Sequence, residues 1–239
     1  MPVAKQVSTL DHLSEGRLIF GVGIGGEFPR EYEACGVPVD QRGARLSEAI
    51  PLLRSLLGGA TTTHQGRYYP SFSGLALQPP ARQPGGPPIW VGGRADAALA
   101  RAGRLADGWI SYVVTPEAFR AGLQKIATAA EKAGRKVERF GTGHLLFTRL
   151  DDSYEGALVA ATTTLSGRYG SDMRRAAERY AALGRPEQVA EKIREFHAAG
   201  VRHLSIDLLG PYEERPEHID RFAREVLPLL ADLRGSLTC

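Results

Sequence analysis

Residues 17–26 read RLIFGVGIGG, an apolar run that ends in a cluster of glycines. Four further apolar runs follow along the chain, and helical patterns separate most of them. They cover residues 88–91, 108–113, 144–150 and 203–209. Short strands that alternate with helices are typical of βα units, which build a parallel sheet. The sequence therefore predicts an α/β protein with five parallel strands.

The helices have recognisable boundaries. Residues 42–57 form an amphipathic helix closed by two glycines, and Thr115-Pro116 is a helix start with threonine at the N-cap. Further helices are predicted to end near residue 199 and to span about 217–233. The first helix covers residues 3–13, where apolar side chains at helical spacing predict one buried face: Val3, Val7, Leu10 and Leu13.

Residues 60–86 are rich in Thr, Gly, Pro and Tyr and predict an excursion that contains a small hairpin. The same βα rhythm continues on both sides, so this segment is not a domain linker. At 239 residues the chain has the usual length of one α/β barrel domain. We therefore predict a single domain over residues 1–239. A closed eight-stranded barrel would need three strands more than the five predicted.

Composition sets broad limits on function. The formal net charge is +3, with 30 Lys and Arg residues interleaved with 27 acidic residues, and no basic stripe suggests nucleic-acid binding. No run approaches the roughly 18 apolar residues of a membrane span, and residues 1–6 (MPVAKQ) open no apolar run of signal-peptide length. Only two cysteines occur, Cys35 and Cys239, so we expect a reducing, cytoplasmic setting.

The glycine cluster after the first strand matches the dinucleotide pattern G-x-G-x-x-G over residues 21–26. That pattern binds a pyrophosphate when a helix begins at once, whereas here helical periodicity resumes only near residue 42. A dinucleotide site is therefore disfavoured. Glycines at this place indicate a strand end that a ligand or a neighbouring backbone approaches closely. A plain tight turn is the alternative.

A second glycine-rich strand end reads GGRAD over residues 92–96, where a helix begins. The amides and the dipole of a helix N-terminus favour anions, and barrels of this type often bind phosphate at strand ends. Gly92, Gly93 and Arg94 are therefore candidate phosphate-binding residues. The alternative is that Arg94 is an ordinary solvated side chain.

No residue stands out as a catalytic acid, base or nucleophile, and no histidine pair has the spacing of a metal site. His144 and His203 lie near strand starts, which is the stabilising end of a parallel barrel. The other histidines, including His218, are interpreted as surface residues. Glu27, a carboxylate just beyond the first strand, lies where the catalytic rim of a barrel is expected and has no obvious structural task, so it is a candidate functional residue. An ordinary surface role is the alternative. Asp207 lies in the last strand, where periodicity leaves open whether it faces the barrel or a helix.

Six segments in the first 110 residues resemble, in order, the luciferase-like flavin monooxygenase family. Residues 184–209 and the terminal helix continue the resemblance more weakly. The six are residues 4–18 (AKQVSTLDHLSEGRL), the glycine run 21–25 with residues 31–38 (EYEACGVP), 42–50 (RGARLSEAI), 66–69 (GRYY), 87–93 (PPIWVGG) and 106–110 (ADGWI).

The resemblance implies a (β/α) TIM-barrel-type fold that binds FMN or the deazaflavin coenzyme F420 at the carboxyl ends of its strands. It assigns the flavin phosphate to Gly23 and Gly25 after the first strand, and to Gly92, Gly93 and Arg94 after the second. The implied reaction is hydride transfer or oxygen insertion on a small-molecule substrate. The cofactor ring supplies the reactivity, and NAD(P)H is a source of reducing equivalents.

The resemblance also predicts an incomplete barrel. In the family the segment at residues 4–6 lies on the third barrel helix, so about the first three βα units are expected to be missing. Those units supply one wall of the ring pocket and much of the proton-transfer machinery, so the resemblance assigns no catalytic residue here. The first and last strands are expected to have exposed edges, through which two chains associate as a homodimer.

Three functions stay open on this basis. The first is a flavin- or deazaflavin-dependent oxidoreductase of luciferase-like type with an unknown substrate. The second is a non-catalytic, flavin-binding remnant of the same fold. The third is a different phosphate-binding barrel enzyme such as an isomerase, which the ordered motif matches disfavour.

Overall fold

The computed structural model describes residues 1–26 and 28–236, which fold as two compact units. Unit 1 contains residues 1–110 and 123–141, and unit 2 contains residues 111–122 and the chain from residue 142 onward. The boundary falls within two strands and one helix, so both units take part in the same βα succession.

Unit 1 is built on parallel strands with helices between them. Val22 of the first strand lies opposite Val91 of the next parallel strand, and Val91 lies opposite Trp109. Residues 62–75 form the predicted hairpin. In chain order the elements are α1 (Pro2–Leu13), β1 (Phe20–Val22), α2 (Pro29–Ala34), α3 (Arg42–Leu57), β2 (Thr62–His64), β3 (Phe72–Leu75), β4 (Ile89–Gly92), α4 (Asp96–Leu105), β5 (Gly108–Tyr112) and α5 (Pro116–Lys132).

Helix α1 buries a different face from the one predicted. Val7 is buried as expected, but Val3, Leu10 and Leu13 are 47%, 53% and 76% exposed. The buried face carries Asp11, whose carboxylate accepts hydrogen bonds from the backbone and side-chain amides of Gln83 at 2.8 and 2.7 Å. Polar contacts with the segment before β4 therefore orient this helix, and an apolar stripe remains on its outside.

Helix α2 was not predicted, because the sequence showed no helical periodicity between residues 27 and 42. It has only six residues, none of them buried, and so carries no hydrophobic pattern. It begins at Pro29, three residues after the last glycine of the 21–26 cluster. Glu27 lies outside the described residues.

Unit 2 contains the end of β5, the start of α5 and the remaining elements. Residues 143–148 pair in parallel with residues 203–208, and residues 148–150 pair in parallel with 182–184. The elements are β6 (Gly141–Leu150), α6 (Tyr154–Tyr169), α7 (Arg174–Tyr180), β7 (Ala182–Gly184), α8 (Pro186–Ala198), β8 (His203–Leu208) and α9 (Arg215–Arg221), which continues as π and 3-10 turns to Ser236.

Strand β7 is a further correction, because the sequence predicted only helices between residues 151 and 199. The strand reads Ala-Leu-Gly, contains no β-branched residue and is fully buried. Its pairing with residues 148–150 stabilises it, and that contact leaves no local signal in the sequence. The five predicted strands are all present, although β1 begins at Phe20 rather than at Arg17.

These elements confirm the predicted fold class, an α/β protein with an incomplete TIM-barrel-type parallel sheet. Six parallel strands occur in the described residues, against eight in a closed barrel. Within the described residues, β1 pairs with β4 alone and β8 pairs with β6 alone, as predicted for edge strands. No helix in the described part of the chain is long and apolar enough to cross a bilayer.

Candidate cofactor-binding site

The carboxyl ends of β1 and β4 lie side by side in unit 1. Because Val22 and Val91 are paired, the residues that follow them, Gly23 and Gly92, sit next to each other at the same edge of the sheet. A Cβ atom at Gly23 would meet only the Gly25 amide at 4.0 Å, and one at Gly92 only backbone oxygens at 3.9 and 4.0 Å. Neither position has a left-handed backbone. The fold itself therefore does not require glycine at either place.

Gly93, by contrast, is required by the backbone. Its φ is +120°, and a Cβ atom there would lie 2.8 Å from the Cβ of Ala98 in α4. The indole N–H of the buried Trp109 donates a hydrogen bond of 2.6 Å to the Gly93 carbonyl. In a trans peptide the carbonyl and the next N–H point in opposite directions, so the Arg94 N–H is directed away from Trp109. This contact fixes the orientation of the peptide that leads into α4.

Helix α4 begins at Asp96, two residues after Arg94. The first N–H groups of a helix lack intrahelical partners, and the helix dipole makes this end electropositive. Arg94 is exposed beside it. The one acidic residue of the first turn, Asp96, is paired with the Lys125 ammonium at 2.6 Å, so its charge is balanced. The end of β4 therefore offers backbone donors and a cation to an anionic group.

Gly25 lies in the loop after β1, with a φ of +82°. The Tyr32 ring occupies the space that a side chain at Gly25 would need. The Tyr32 hydroxyl bonds to the carbonyls of Ile24 and Gly26 at 2.8 and 2.9 Å, and Arg42 donates to the Gly26 carbonyl at 3.1 Å. Tyr32 and Arg42 thus hold the loop in place. Both residues lie in segments that carry the family resemblance, 31–38 and 42–50, but their contacts with the glycine loop are visible only in the folded chain.

All five predicted cofactor-binding residues belong to unit 1. Strand pairing brings Gly23 next to Gly92, with Gly93 and Arg94 following directly, while Gly25 lies on the loop that Tyr32 closes. A phosphate monoester or diester needs hydrogen-bond donors and space free of side chains. The N-terminus of α4 and Arg94 supply the donors, and the two neighbouring glycines leave the space. The residues present therefore fit the phosphate of a flavin or deazaflavin.

Unit 2 has a polar cluster at the carboxyl ends of its strands that the sequence did not reveal. Arg149 of β6 donates to the Glu214 carboxylate at 2.7 Å and to the Leu209 carbonyl at 3.1 Å. His218 lies 3.6 Å from the same carboxylate. Burial, followed by the positive charge of Arg149, lowers the pKa of His218. The interpretation of His218 as a surface residue was wrong, because its side chain turns inward from α9 and is only 9% exposed.

His144 lies in the interior of unit 2, in agreement with its predicted place at the stabilising end of a strand. Its Nδ1 lies 2.8 Å from the Ser111 hydroxyl, and its ring stacks on Phe196 at 4.1 Å. Phe119 meets the ring edge-on. Burial lowers the pKa of His144 to about 4, so the imidazole is neutral near pH 7. His203, on β8, is exposed.

Asp207, whose direction was left open, faces helix α6. Its carboxylate accepts a hydrogen bond of 2.6 Å from Arg168, and the Arg168 guanidinium lies 5.9 Å from the centre of the Phe147 ring. Because Phe147 pairs with Asp207 across β6 and β8, one arginine of α6 covers both side chains. Among the described residues, no three His, Cys, Asp or Glu side chains come together in a way that could hold a metal ion.

Comparison with known proteins settles the family. The sequence model of the luciferase-like monooxygenases matches residues 1–203. The chain belongs to the luciferase-like monooxygenase family. The resemblance seen in the six ordered motifs is thereby confirmed, and the family comprises F420- or FMN-dependent oxidoreductases and monooxygenases.

Several relatives show the extent of the match. An uncharacterized protein of Mycobacterium tuberculosis is 38% identical over 133 residues, which are 56% of this chain and 44% of that protein. The match therefore spans less than half the length of this relative. The F420-dependent glucose-6-phosphate dehydrogenase of Nakamurella multipartita is 26% identical over 98% of this chain and 74% of its own length.

A solved structure shares the fold over most of the chain. An F420-dependent secondary alcohol dehydrogenase, bound to an F420-acetone adduct, matches with a TM-score of 0.77 over 95% of this chain and 74% of that chain. The two sequences are 20% identical, so this likeness shows the fold alone.

Proposed function

We propose that this chain is a cofactor-dependent oxidoreductase of luciferase-like type that binds the phosphate of F420 or FMN at the paired ends of β1 and β4. One observation carries the proposal. Gly23 and Gly92 are neighbours at these strand ends, and nothing in the fold requires glycine at either place. Their missing side chains leave the backbone open beside Arg94 and the N-terminus of α4, where a ligand phosphate fits.

The residues of this site would bind and orient the cofactor rather than react with it. When bound, the flavin or deazaflavin supplies the hydride-transfer or oxygen chemistry. The amides at the start of α4 and the Arg94 guanidinium would hold the phosphate. The Gly93 peptide, fixed by Trp109, would keep that anchor in one position.

One relative that matches over most of the chain supports F420, because the dehydrogenase of Nakamurella multipartita is F420-dependent by name. Fluorescence titration of the purified protein with F420 and with FMN tests the proposal. We expect saturable binding of at least one of them, and the absence of binding for both would contradict the proposed site.

A turnover measurement distinguishes a working enzyme from the alternative, a non-catalytic remnant of the fold. An enzyme should oxidise reduced F420 with a candidate carbonyl substrate, or reduce oxidised F420 with a candidate alcohol substrate, or oxidise NAD(P)H in the presence of bound FMN with O2 as the acceptor. Binding of either cofactor without turnover across such a panel supports the remnant. One observation supports the remnant: at the carboxyl ends of the strands in unit 2, Arg149 and His218 both contact the Glu214 carboxylate.

We further propose that two copies of the chain associate through the exposed edges. In unit 1 helix α1 exposes Val3, Leu10 and Leu13, and Ile19, just ahead of the edge strand β1, is 44% exposed. Exposed apolar surface of this kind commonly marks an association site. Sedimentation velocity should show a dimer, and Leu10→Glu with Leu13→Glu should convert it to a monomer. A monomer in the unsubstituted protein would contradict this proposal.

A further inference from the structure

A second cleft lies at the amino ends of β4 and β5, whereas the candidate cofactor site lies at the carboxyl ends of β1 and β4. Its volume is about 810 Å³, within the range of small-molecule sites. The C-terminal ends of α3 and α4, the loop before β4 and Arg135 form its walls. These lining residues all belong to unit 1. We call this feature the amino-end cleft.

The charge of the amino-end cleft is mainly positive. Three arginines line it: Arg54 of α3, Arg104 of α4 and Arg135, which follows α5. Asp107 is the one acidic residue that lines it. Three positive charges against one negative charge leave a formal charge of +2. A cleft lined by one sign of charge concentrates ligands of the opposite sign.

Asp107 holds two of these arginines at one place. Its Oδ2 accepts a hydrogen bond of 2.9 Å from Arg54, and its Oδ1 accepts one of 3.3 Å from Arg135. The Ile89 backbone N–H also donates to Oδ2 at 2.9 Å. Within residues 1–26 and 28–236, Asp107 is the one carboxylate that pairs with two arginines. Two guanidiniums therefore share a single negative charge.

The positive charges of the cleft act on each other. Burial lowers the pKa of Arg135, Asp107 raises it, and the positive charge of Arg54 lowers it. The positive region extends into α4, where Arg101 is buried. Burial lowers the pKa of Arg101 as well, and so does the charge of Arg104. The single carboxylate therefore leaves an excess of positive charge at this end of the strands.

Two of the arginines have N–H groups to offer a ligand. Arg54 uses Nη2 both for Asp107 and for the Leu105 carbonyl at 3.1 Å, so its Nε and Nη1 have no protein partner in the described part of the chain. Arg104 is exposed, and its Nε lies at 3.4 Å from the Ala100 carbonyl, a long hydrogen bond. A guanidinium has five N–H donors, and its planar fork matches the oxygens of a phosphate.

The remaining wall of the cleft is largely apolar. Ile50, Pro51 and Pro88 contribute to it. A Cβ atom at Gly85, in the loop before β4, would meet no atom within 4 Å, so the backbone there is open to a ligand. This combination suits a molecule that joins an anionic group to an apolar body.

We propose that the amino-end cleft is a second ligand site, which binds a phosphate monoester with an apolar body. Arg54 and Arg104 bind the phosphate oxygens, and the surface formed by Ile50 and Pro51 packs against the body. A phosphate monoester carries about 1.5 to 2 negative charges at pH 7, which matches the formal charge of the cleft. The site uses none of the five candidate cofactor-binding residues, so this inference does not depend on the proposed function.

The test compares phenyl phosphate with phenyl sulfate, which has a similar shape but carries one negative charge. Affinities are measured by isothermal titration calorimetry, and thermal unfolding checks that each variant folds. Arg54→Gln and Arg104→Gln remove charges from the cleft. Arg224→Gln is the matched control for Arg104→Gln, because Arg224 is also exposed and also bonds through Nε to a carbonyl four residues earlier at 3.4 Å. Arg94→Gln reports any binding at the candidate cofactor site.

We expect the unsubstituted protein to bind phenyl phosphate about tenfold more tightly than phenyl sulfate. Arg54→Gln should remove most of this preference, and Arg104→Gln should reduce it about threefold, as for one exposed ion pair. Arg224→Gln and Arg94→Gln should both retain it. If Arg54→Gln does not fold, Arg104→Gln alone decides.

Three results would overturn the inference. The first is no binding of phenyl phosphate by the unsubstituted protein, and the second is equal affinity for the two probes. The third is a preference that Arg94→Gln removes and Arg104→Gln retains, because phenyl phosphate would then bind at the carboxyl ends of the strands.

Discussion

The strand ends of the two units are built in opposite ways. In unit 1 the ends of β1 and β4 carry glycines, and the charges nearby, Arg94 and Arg42, are cations. In unit 2 the end of β6 carries Arg149, whose charge is engaged by Glu214 next to the buried His218. The first set of strand ends combines glycines that leave backbone accessible with nearby cations, whereas the end of β6 pairs its arginine with a carboxylate of the same unit.

This difference separates binding from stability. Replacing a residue whose only role is to contact a ligand should leave the stability of the free protein unchanged. A residue whose polar group is buried and paired within the fold contributes to stability, because its removal leaves a partner unsatisfied. Substitutions in unit 1 should therefore change cofactor affinity, and those in unit 2 should change the free energy of unfolding.

The largest expected effect is the pH dependence of stability that comes from His144. Its pKa is about 4 in the folded protein and 6.5 when exposed, so the unfolded state binds more protons between these values. The free energy of unfolding should therefore fall as the pH drops from 6.5 towards 4, by about 3 kcal/mol in all. Urea titrations across this range measure it.

His144→Leu should remove most of this slope, whereas His203→Gln, at an exposed position on the neighbouring strand, should retain it. A slope that persists unchanged in His144→Leu would show that other groups destabilise the protein in acid.

Arg149→Met is the next largest change. It removes the cation that bonds to Glu214 and Leu209, and it should lower the free energy of unfolding by about 2 kcal/mol. Cofactor affinity should stay unchanged. Arg175→Gln, which removes an exposed charge from the same unit, should alter neither quantity. If Arg149→Met instead weakened cofactor binding without loss of stability, the contrast between the two sets of strand ends would be wrong.

Gly93→Ala should affect both quantities, because Gly93 is a structural glycine within the ligand site. Its left-handed φ and the 2.8 Å approach to Ala98 should cost about 1–2 kcal/mol of stability. The displaced peptide should weaken cofactor binding as well. Gly92→Ala meets no close atom and should leave stability almost unchanged, so any loss of affinity there reports on the ligand directly. Thermal unfolding and fluorescence titration of the two variants provide the comparison.

The fold followed from local patterns wherever those patterns were strong. Strands that end in glycine, such as 88–93, and capped helices, such as the one after Thr115, carry their signals within a few residues. The orientation of α1 did not follow, since it depends on the contact of Asp11 with Gln83, 72 residues away. Strand β7 was missed for the same reason: its pairing partner lies more than 30 residues earlier in the chain.

The residues of the candidate site also fall into two groups, those that the sequence could predict and those that only the folded chain shows. Gly23, Gly92, Gly93 and Arg94 could be selected from the sequence, because a strand end followed by a helix start is a local arrangement. Tyr32 could not, because its hydroxyl meets the glycine loop only after α2 forms. Arg149 and Glu214 are separated by 65 residues, so only the folded chain shows that they are partners.

The most direct test removes the phosphate from the ligand and the guanidinium from the protein together. Each cofactor is titrated beside its dephosphorylated form, FMN with riboflavin and F420 with its dephosphorylated deazaflavin, into the unsubstituted protein and Arg94→Gln. We expect the phosphorylated member of a binding pair to bind about tenfold more tightly, as for a charge-assisted hydrogen bond. Arg94→Gln should remove most of that difference. Equal affinity for both members of each pair would contradict a phosphate site at the ends of β1 and β4.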